Sequence, residues 1–320
     1  MSLNILNHST SNNSIEELAK RAKNGAPFFS TSDPSFLWLI CLAVIVLALG
    51  IVGNAFVLII IKRNRTYQTA QNYLLANLAV ADITSLFFGA LSVIPVVTVL
   101  PDGVVGTFLC KFFVGFNVPL TATVTSVLTL TVLAVERYNA VSKPLQMLQL
   151  TKKTVRYTIA GTWATSIALN VPLFVYTDYN FKNAFCQHTY NRQVEMTHTI
   201  FYVIFVFIVP FIIIIICYSK IGRALCNGNA VSPESNISDE EKLRQKKLLL
   251  KMSLIVTAVF TACFFPASIT IVLGYYSLVS KTVRSFELFL LTLSSVVNPF
   301  IYAFHSSNYR CAFKALLKCN

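Results

Sequence analysis

Residues 199–219 read TIFYVIFVFIVPFIIIIICYS and contain no charged side chain. About 20 consecutive apolar residues form a helix long enough to cross the hydrocarbon core of a bilayer, which is roughly 30 Å thick. Outward from this stretch, similar apolar segments occur in both directions. We predict seven spans, numbered 1 to 7 along the chain, at residues 36–61, 73–100, 108–136, 155–176, 199–219, 249–276 and 285–304.

The predicted fold class is all-α, a bundle of seven transmembrane helices with a short amphipathic eighth helix at 307–319. Backbone groups in lipid must be hydrogen-bonded within their own segment, which favours helices, and the alternating segments of a β-barrel are not seen. Of the 320 residues, 55% are hydrophobic and 12% are charged, whereas a soluble domain carries about 25% charged residues. The net charge of +13 lies between the spans, so we expect no nucleic-acid partner.

The distribution of basic residues predicts the orientation and the domains. With the N-terminus outside, eight of the 26 Lys and Arg residues are external, and the excess on the other side marks it as cytoplasmic. Residues 1–35 are expected to form a disordered extracellular segment, glycosylated at Asn7 and Asn12. The seven-helix domain covers 36–304, with a cytoplasmic loop at about 220–248, and the eighth helix and tail cover 305–320. We expect a multi-pass protein of the plasma membrane.

Asp82 is the charged residue that the bilayer tolerates least, because it lies in the middle of span 2. A charge there costs roughly 2.5–3.5 kcal/mol on insertion scales, so it should face polar partners inside the bundle. Two interpretations remain open, a site for a small hard cation such as sodium and a hydrogen-bonded structural acid. The candidate partners are Asn54, Ser126, Ser294, Ser295 and Asn298.

Glu136-Arg137-Tyr138 ends span 3 at the cytoplasmic edge. Glu136 can neutralise Arg137 in a closed bundle, and the guanidinium can donate to a partner's carbonyl groups in an open one. The alternative is that Arg137 only reaches the lipid headgroups. Prolines inside the spans either bend the helices or act as pivots, and they are Pro95, Pro119, Pro172, Pro210, Pro266 and Pro299.

Over residues 36–319 the chain resembles rhodopsin-like G-protein-coupled receptors, with matching residues in order along the seven spans. They are Gly53 to Val57, Asp82, Glu136 to Tyr138, Trp163, Pro210 with Tyr218, Phe260 with Cys263 and Pro266, and Asn298 to Tyr302.

The resemblance implies a role for each matching residue. Cys110 and Cys186 are implied to form an extracellular disulfide, and Cys319 is either palmitoylated or a free thiol. An allosteric sodium ion is implied at Asp82, Ser126, Asn298, Ser295 and Asn54, and no other cofactor is expected. The implied activation switches are Glu136, Arg137, Tyr138, Tyr218, Tyr302, Pro210, Val127, Phe260, Phe264, Pro266 and Pro299.

The chain also departs from the family pattern. Cys110 and Arg137 are 27 residues apart, two more than usual, which places extra length in the outer half of span 3. Phe264 stands where the family usually has tryptophan. Lys246 stands where many relatives have an acid. In one interpretation the lysine faces Arg137, and the like charges favour basal signalling. In the other, the lysine points to lipid phosphates and does not approach Arg137. The aspartate that anchors amines and the lysine that binds retinal have no counterpart.

The resulting prediction is a receptor, not an enzyme, that binds an extracellular ligand and activates a heterotrimeric G protein, with arrestin as a further possible partner and membrane lipid around it. A transporter is disfavoured because Asp82 is the one deep carboxylate of the sequence. We favour a neuropeptide over a lipid or another small non-amine ligand. The second outer loop is long, and the segments 177–179 and 188–190 can pair there as a hairpin lid that leaves the pocket open. The outer acids either meet basic side chains of the ligand or are solvated loop residues, and they are Asp33, Asp102, Asp178, Glu195 and Glu287.

Overall fold

The computed structural model describes residues 34–65, 68–92, 100–142, 150–180, 185–226, 237–275, 281–305 and 309–313. Spans 1, 2, 4, 6 and 7 are the helices Pro34–Arg63, Ala70–Leu91, Thr154–Tyr176, Ile237–Tyr275 and Lys281–His305. Span 3 comprises Val104–Leu109, a π-helical turn Cys110–Val114 and Asn117–Ser142. Span 5 comprises Arg192–Tyr202, a π-helical turn Val203–Ile208 and Val209–Cys226. Strands β1 (Thr177–Asn180) and β2 (Phe185–His188) lie between spans 4 and 5.

Six of these described spans are long and apolar enough to cross a membrane, and span 7 contributes the shorter apolar stretch Phe289–Phe304. The predicted all-α, seven-helix fold class is therefore confirmed. Residues 309–313 are also helical, and the Tyr309 hydroxyl donates to Asn72 Oδ1 over 3.2 Å. This contact holds the segment after span 7 against the start of span 2.

The helices on either side of the predicted cytoplasmic loop run further than expected from hydropathy. The loop was placed at 220–248, but span 5 continues to Cys226 and span 6 begins at Ile237. An α-helix satisfies its backbone within itself in water as well as in lipid, so a helix does not need to end where its apolar residues end. Hydropathy therefore gives the part of each helix that lies in the bilayer and not the whole helix.

Span 3 lies at the centre of the bundle and contacts spans 2, 4, 5 and 6. Its inward face is closely packed, with Leu130, Leu133 and Ala134 each no more than 1% exposed. Large apolar side chains point outward on the other spans, as Val44 on span 1 and Phe265 on span 6 do at 57% exposure each. Such residues suit a lipid-facing surface, so the bundle is apolar outside and keeps its polar residues within.

The two extra residues of span 3 are accommodated by an interruption of its helix. The Gly115 N–H donates to the Cys110 carbonyl over 3.0 Å, five residues back, and closes the π-helical turn. Gly115 itself is extended, with φ −77° and ψ 163°. The regular helix then restarts at Asn117. The extra length thus lies in the outer half of the span, and the helix from Asn117 to Arg137 keeps an uninterrupted register.

Glycine is required at position 115 by the close approach of its own backbone. A Cβ atom there would lie 2.1 Å from the Cys110 carbonyl oxygen. We expect Gly115→Ala to destabilise the protein by about 1–3 kcal/mol, the usual cost of overpacking. Thermal unfolding of the purified protein measures this change.

The matched control is Gly161→Ala in span 4, where a Cβ would meet nothing within 4 Å. Alanine is favoured over glycine inside a helix by about 1 kcal/mol, so the control should be neutral or stabilising. Equal unfolding temperatures for the two variants would contradict the role assigned to Gly115.

Candidate functional site

The outer mouth of the bundle is covered by the hairpin of β1 and β2. The strands are antiparallel, with Thr177 opposite His188 and Tyr179 opposite Cys186. A hairpin is therefore present as predicted, but its second strand is Phe185–His188 and not 188–190. A disulfide joins Cys186 to Cys110, across 76 residues of sequence, as the resemblance implied. The hairpin is therefore tied to the outer end of span 3.

A buried polar cluster supports the hairpin from below. Asn117 Nδ2 donates to the Lys111 carbonyl over 3.2 Å and to Thr177 Oγ1 over 3.0 Å, and it thereby satisfies a carbonyl group of the interrupted helix. The Thr177 hydroxyl lies 3.2 Å from His188 Nδ1. Asn117 is 1% and Thr177 2% exposed. The break in span 3, the end of span 4 and the hairpin are thus one connected unit.

Two of the acids predicted as contacts for a basic ligand are exposed and also make local hydrogen bonds. The Thr107 hydroxyl donates to the Asp178 carboxylate, which also accepts the Tyr179 N–H over 2.9 Å. Asp102 accepts the Gly103 N–H over 2.7 Å at the start of span 3. Glu195 lies in the first turn of span 5 and is exposed. Asp33 lies outside the described residues, as does the side chain of Glu287.

A row of aromatic rings runs from the hairpin into the centre of the bundle. Successive ring centroids are 6.0, 5.8, 5.9, 5.3 and 4.8 Å apart. Separations of 4.5–7 Å are those at which aromatic pairs attract each other. We call these rings the aromatic row, and they are Tyr190, His198, Tyr202, Phe207, Phe264 and Phe260.

The outer end of the aromatic row is uncharged at neutral pH. Burial lowers the pKa of His188, whose ring lies 5.5 Å from that of Tyr190, and neighbouring His198 lowers it further. Burial, followed by the charge of Glu195, raises the pKa of Tyr190 to about 12. The Tyr190 hydroxyl is buried and has no hydrogen-bond partner among the described residues. This surface accordingly suits an apolar or aromatic group with a hydrogen-bonding atom.

The inner end of the row belongs to the switch residues implied by the resemblance. Phe264, which replaces the usual tryptophan, is 7% exposed, while its neighbour Phe265 is 57% exposed on the outside of span 6. Val127, Pro210 and Phe260 line one cavity together with Phe264. We call these four residues the connector. Pro266 lies two residues beyond Phe264 in span 6 and is half-buried.

Asp82 lies in a polar centre between spans 1, 2, 3 and 7 and is 0% exposed. Its carboxylate accepts from Asn298 Nδ2 over 2.7 Å and from Ser126 Oγ over 3.4 Å, and Ser295 is a further polar neighbour of it. Asn54 reaches the same centre by donating to the Ser295 carbonyl over 3.0 Å. Four of the candidate partners are therefore brought together around Asp82, whereas the hydroxyl of Ser294 donates to the Leu291 carbonyl over 2.7 Å.

The donor set of this polar centre fits a sodium ion. Sodium is a hard cation that prefers oxygen ligands, and the site supplies a carboxylate and the hydroxyls of Ser126 and Ser295. In addition, Asn54 Oδ1 is buried and has no hydrogen-bond partner among the described residues. A buried carboxylate and an unsatisfied amide oxygen both leave acceptor capacity that a cation would use.

The end of span 3 that carries Glu136-Arg137-Tyr138 has a buried arginine with spare donor capacity. Arg137 is 9% exposed, and its Nε has no hydrogen-bond partner within the described part of the chain. The Glu136 carboxylate accepts the Leu150 N–H over 3.2 Å and so links the end of span 3 to the residues before span 4. Lys220 Nζ lies 5.4 Å from the centroid of the Tyr138 ring. The guanidinium of Arg137 thus keeps an unused donor, which is buried in this arrangement of the bundle.

Two tyrosines among the implied switches lie in spans 5 and 7, and the first of them, Tyr218, interacts electrostatically with Arg137. The Tyr218 hydroxyl lies 3.2 Å from Thr257 Oγ1, which links span 5 to span 6. The Tyr302 hydroxyl is buried without a hydrogen-bond partner among the described residues, and its ring lies 5.7 Å from that of Tyr309. Pro299 packs against span 1, where a Cβ on Gly53 would lie 3.0 Å from its ring.

Some sequence-based predictions fall on residues that the structure does not describe. Asn7, Asn12 and Cys319 lie outside the described ranges, and so does the side chain of Lys246. Conversely, no sequence pattern indicated Asn117 of the polar cluster below the hairpin, or His198 and Tyr202 of the aromatic row. An asparagine in an apolar span was an available signal for Asn117, because a polar side chain at that depth needs a partner.

Comparison with known proteins gives a family match for most of the bundle. Residues 53–302 match the family described as "7 transmembrane receptor (rhodopsin family)". The QRFP-like peptide receptor of Branchiostoma floridae is 27% identical over 292 residues, covering 86% of this chain and 76% of that protein. Galanin receptor type 1 of Mus musculus is 27% identical over 334 residues, covering 100% and 92%. Somatostatin receptor type 4 of Rattus norvegicus is 29% identical over 289 residues, covering 87% and 72%.

Proposed function

Because the chain belongs to the rhodopsin family of seven-transmembrane receptors, we propose that it binds an extracellular peptide and activates a heterotrimeric G protein. The proposed topology is that of a plasma-membrane receptor with the N-terminus outside and the C-terminus in the cytoplasm. Two of its relatives, from Branchiostoma floridae and Mus musculus, bear the names of peptide receptors. Catalysis of a chemical reaction is not part of the proposal, since nucleotide exchange takes place in the G protein.

The observation that carries the peptide assignment is the hairpin tied to span 3 by the Cys110–Cys186 disulfide. An antiparallel hairpin at the mouth offers backbone groups and side chains to an extended ligand. The aromatic row begins beside the hairpin at Tyr190 and offers rings to the ligand's apolar side chains. Aromatic side chains are among the residues that contribute most binding energy at peptide and protein interfaces.

The proposed function is tested by screening a peptide library on cells that express the chain, with calcium and cyclic-AMP readouts. A peptide that elicits a response is then added to the receptor in nanodiscs, and nucleotide exchange on purified G protein is measured. The Arg137→Ala variant serves as the control, because it should bind the peptide but lose the exchange. Activation by a lipid or small molecule and by no peptide would overturn the assignment of a peptide ligand. Nucleotide exchange by the Arg137→Ala variant would overturn the proposed contact between Arg137 and the G protein.

The orientation is tested by placing an epitope tag at the N-terminus. We expect antibody to stain intact cells, because the basic residues are in excess in the segments assigned to the cytoplasm. The same tag at the C-terminus is the matched control and should be stained only after permeabilisation. Staining in the reverse pattern would contradict the orientation.

Each part of the bundle has a place in the proposed mechanism. The connector links the ligand side to span 6 through Phe260 and Phe264. A sodium ion, held by Asp82, Ser126, Ser295, Asn298 and Asn54, would favour the closed arrangement by its greater affinity for it. On activation the Arg137 guanidinium donates to the G protein, while the Tyr218 hydroxyl leaves Thr257 and the Tyr302 hydroxyl gains a hydrogen-bond partner. Arrestin is a further proposed partner at the same cytoplasmic surface.

We further propose that the aromatic row carries the ligand's effect to the connector. Tyr202 is 6% exposed and lies between His198 and Phe207 in the row. Mutations along coupled contacts change the coupling by about 0.5–2 kcal/mol, which corresponds to roughly two- to thirtyfold in potency. Tyr202→Leu is therefore expected to lower agonist potency by that factor. Dose–response curves at matched surface expression measure the change.

A matched control lies on the neighbouring face of the same span. Phe201 is 55% exposed and stacks on Phe205 outside the row. Phe201→Leu removes a similar ring and should leave potency unchanged. If both variants lose potency equally, the effect comes from span 5 in general and the aromatic row has no special role.

A further inference from the structure

A cavity of about 500 Å³ opens between spans 3, 5 and 6. Its inner wall consists of buried side chains, among them Val127, Phe260 and Phe264. Its rim consists of side chains that point outward, with Ile212 51% and Phe265 57% exposed. We propose that this cavity, called here the span 5–6 cavity, binds one acyl chain of a membrane lipid.

The composition of the cavity wall restricts the occupant to an uncharged group. None of the lining residues that the structure describes carries a charge, and the hydroxyls are those of Thr261 and Ser268. The Ser268 hydroxyl already donates to the Phe265 carbonyl over 2.7 Å. A charged or strongly polar group would lose its hydration on entry and find no compensating partner, which is unfavourable.

The size and shape of the cavity favour a long hydrocarbon chain. Its volume lies within the range of roughly 300–1,000 Å³ that is usual for small-ligand sites. On span 6 the lining extends from Phe260 to Leu273, which is about 20 Å along an α-helix. An elongated apolar space of this kind accommodates an extended chain while the lipid headgroup stays at the membrane surface.

The position of the rim identifies the source of the occupant. Ile208, Ile212, Phe265 and Ile269 belong to the continuous outward face of spans 5 and 6, and each is at least 45% exposed. In a membrane-spanning helix such a face is in contact with acyl chains. A chain from an adjacent lipid enters without crossing water, and it gains dispersion contacts that an empty cavity lacks.

The occupant would lie directly against the connector, because Val127, Pro210, Phe260 and Phe264 all line the cavity. Val127 belongs to span 3, while Phe260 and Phe264 belong to span 6, and the contact between these two spans changes if span 6 moves. A chain that fits one arrangement better would favour that arrangement by its difference in affinity. The lipid site is independent of which ligand binds outside, so its test does not require an agonist.

The test uses the full chain in nanodiscs of phosphatidylcholine, a fraction of which carries a diazirine at the end of one acyl chain. After photolysis, mass spectrometry locates the labelled residues, and labelling at Val44 and Ile45 on the outside of span 1 serves as the internal reference. We expect labelling of the lining residues in the wild type above this reference. Ser268→Phe, which fills the cavity, should reduce it by about tenfold, as a ring takes the place of the chain.

Two controls separate filling of the cavity from other effects. Ala262→Phe adds the same ring at an exposed position of span 6 outside the lining, and Ser268→Ala removes the hydroxyl without filling the space. Both should label as the wild type does. If Ser268→Phe does not fold, Ile212→Trp closes the rim from span 5 and gives the same expectation.

Equal labelling of the lining in wild type and filled variants would overturn the proposal, and so would labelling no stronger than the reference. A second experiment uses cholesterol carrying a diazirine in the same nanodiscs. Labelling of the lining by the sterol and not by the acyl chain would assign the cavity to a rigid ring system and refute the acyl-chain occupant.

Discussion

Replacing Asp82 with asparagine is expected to abolish the effect of sodium ions on agonist affinity. In the wild type, sodium should lower agonist affinity, because an ion bound to the closed arrangement must leave before the bundle opens. Couplings of this kind typically change affinity by about 5- to 150-fold. Asparagine keeps the shape and one carbonyl acceptor for the Asn298 amide, which donates to Asp82 over 2.7 Å, but it removes the charge that holds the cation.

The measurement compares agonist binding in sodium chloride with binding in an equal concentration of N-methylglucamine chloride. Thr84→Val is the matched control, since Thr84 is two residues along the same span and its hydroxyl bonds only locally, to the Val80 carbonyl over 2.8 Å. The control should respond to sodium as the wild type does. An unchanged sodium response in Asp82→Asn would leave Asp82 as a hydrogen-bonded structural acid.

The second large effect is expected on removal of the Cys110–Cys186 disulfide by the double variant Cys110→Ser, Cys186→Ser. Closing a loop across 76 residues contributes roughly 4 kcal/mol in the chain-entropy account. Without the bond, the hairpin retains the Asn117–Thr177 contact of 3.0 Å but no covalent link to span 3. Because the hairpin is then no longer fixed over the ligand site, agonist affinity should fall by more than about tenfold. A factor of ten corresponds to 1.4 kcal/mol.

Agonist binding to purified receptor, together with its thermal unfolding, measures this loss. Cys311→Ser is the matched control, because Cys311 is an exposed free thiol in the helical segment after span 7. Its affinity and stability should equal those of the wild type. Wild-type affinity in the double variant would mean that hydrogen bonds alone fix the hairpin over the ligand site.

The parts of the site that could be predicted are those where the bilayer makes a residue type costly. A carboxylate in the middle of span 2 needs polar partners, and the residues that supply them, Ser126 and Asn298, could be named from the spans that carry them. The hairpin was predictable because its two polar segments flank a cysteine in a loop between two apolar spans. In each case the physical constraint acts on the identity of single residues.

The parts that could not be predicted depend on which way a side chain faces. In an apolar span, aromatic residues suit the lipid and the interior equally well, so the sequence does not distinguish buried Tyr202 from exposed Phe201. The break at Gly115 was seen only as an excess of two residues, because hydropathy is insensitive to a local change from an α-helical to a π-helical turn. Contacts with neighbouring spans decide both features.

The break at Gly115 has a consequence for evolutionary comparison and for choosing templates. Residues inward of Asn117 can be aligned with other receptors by counting from Arg137. Residues outward of the break cannot be aligned in this way. Counting from Arg137 displaces them by two positions, or about 200° around a helix of 3.6 residues per turn. An insertion of this kind can alter the ligand-facing surface at the mouth in one genetic step while the Asp82 and Arg137 region keeps its register. Ligand poses transferred from relatives must therefore treat residues 104–114 as a separate segment.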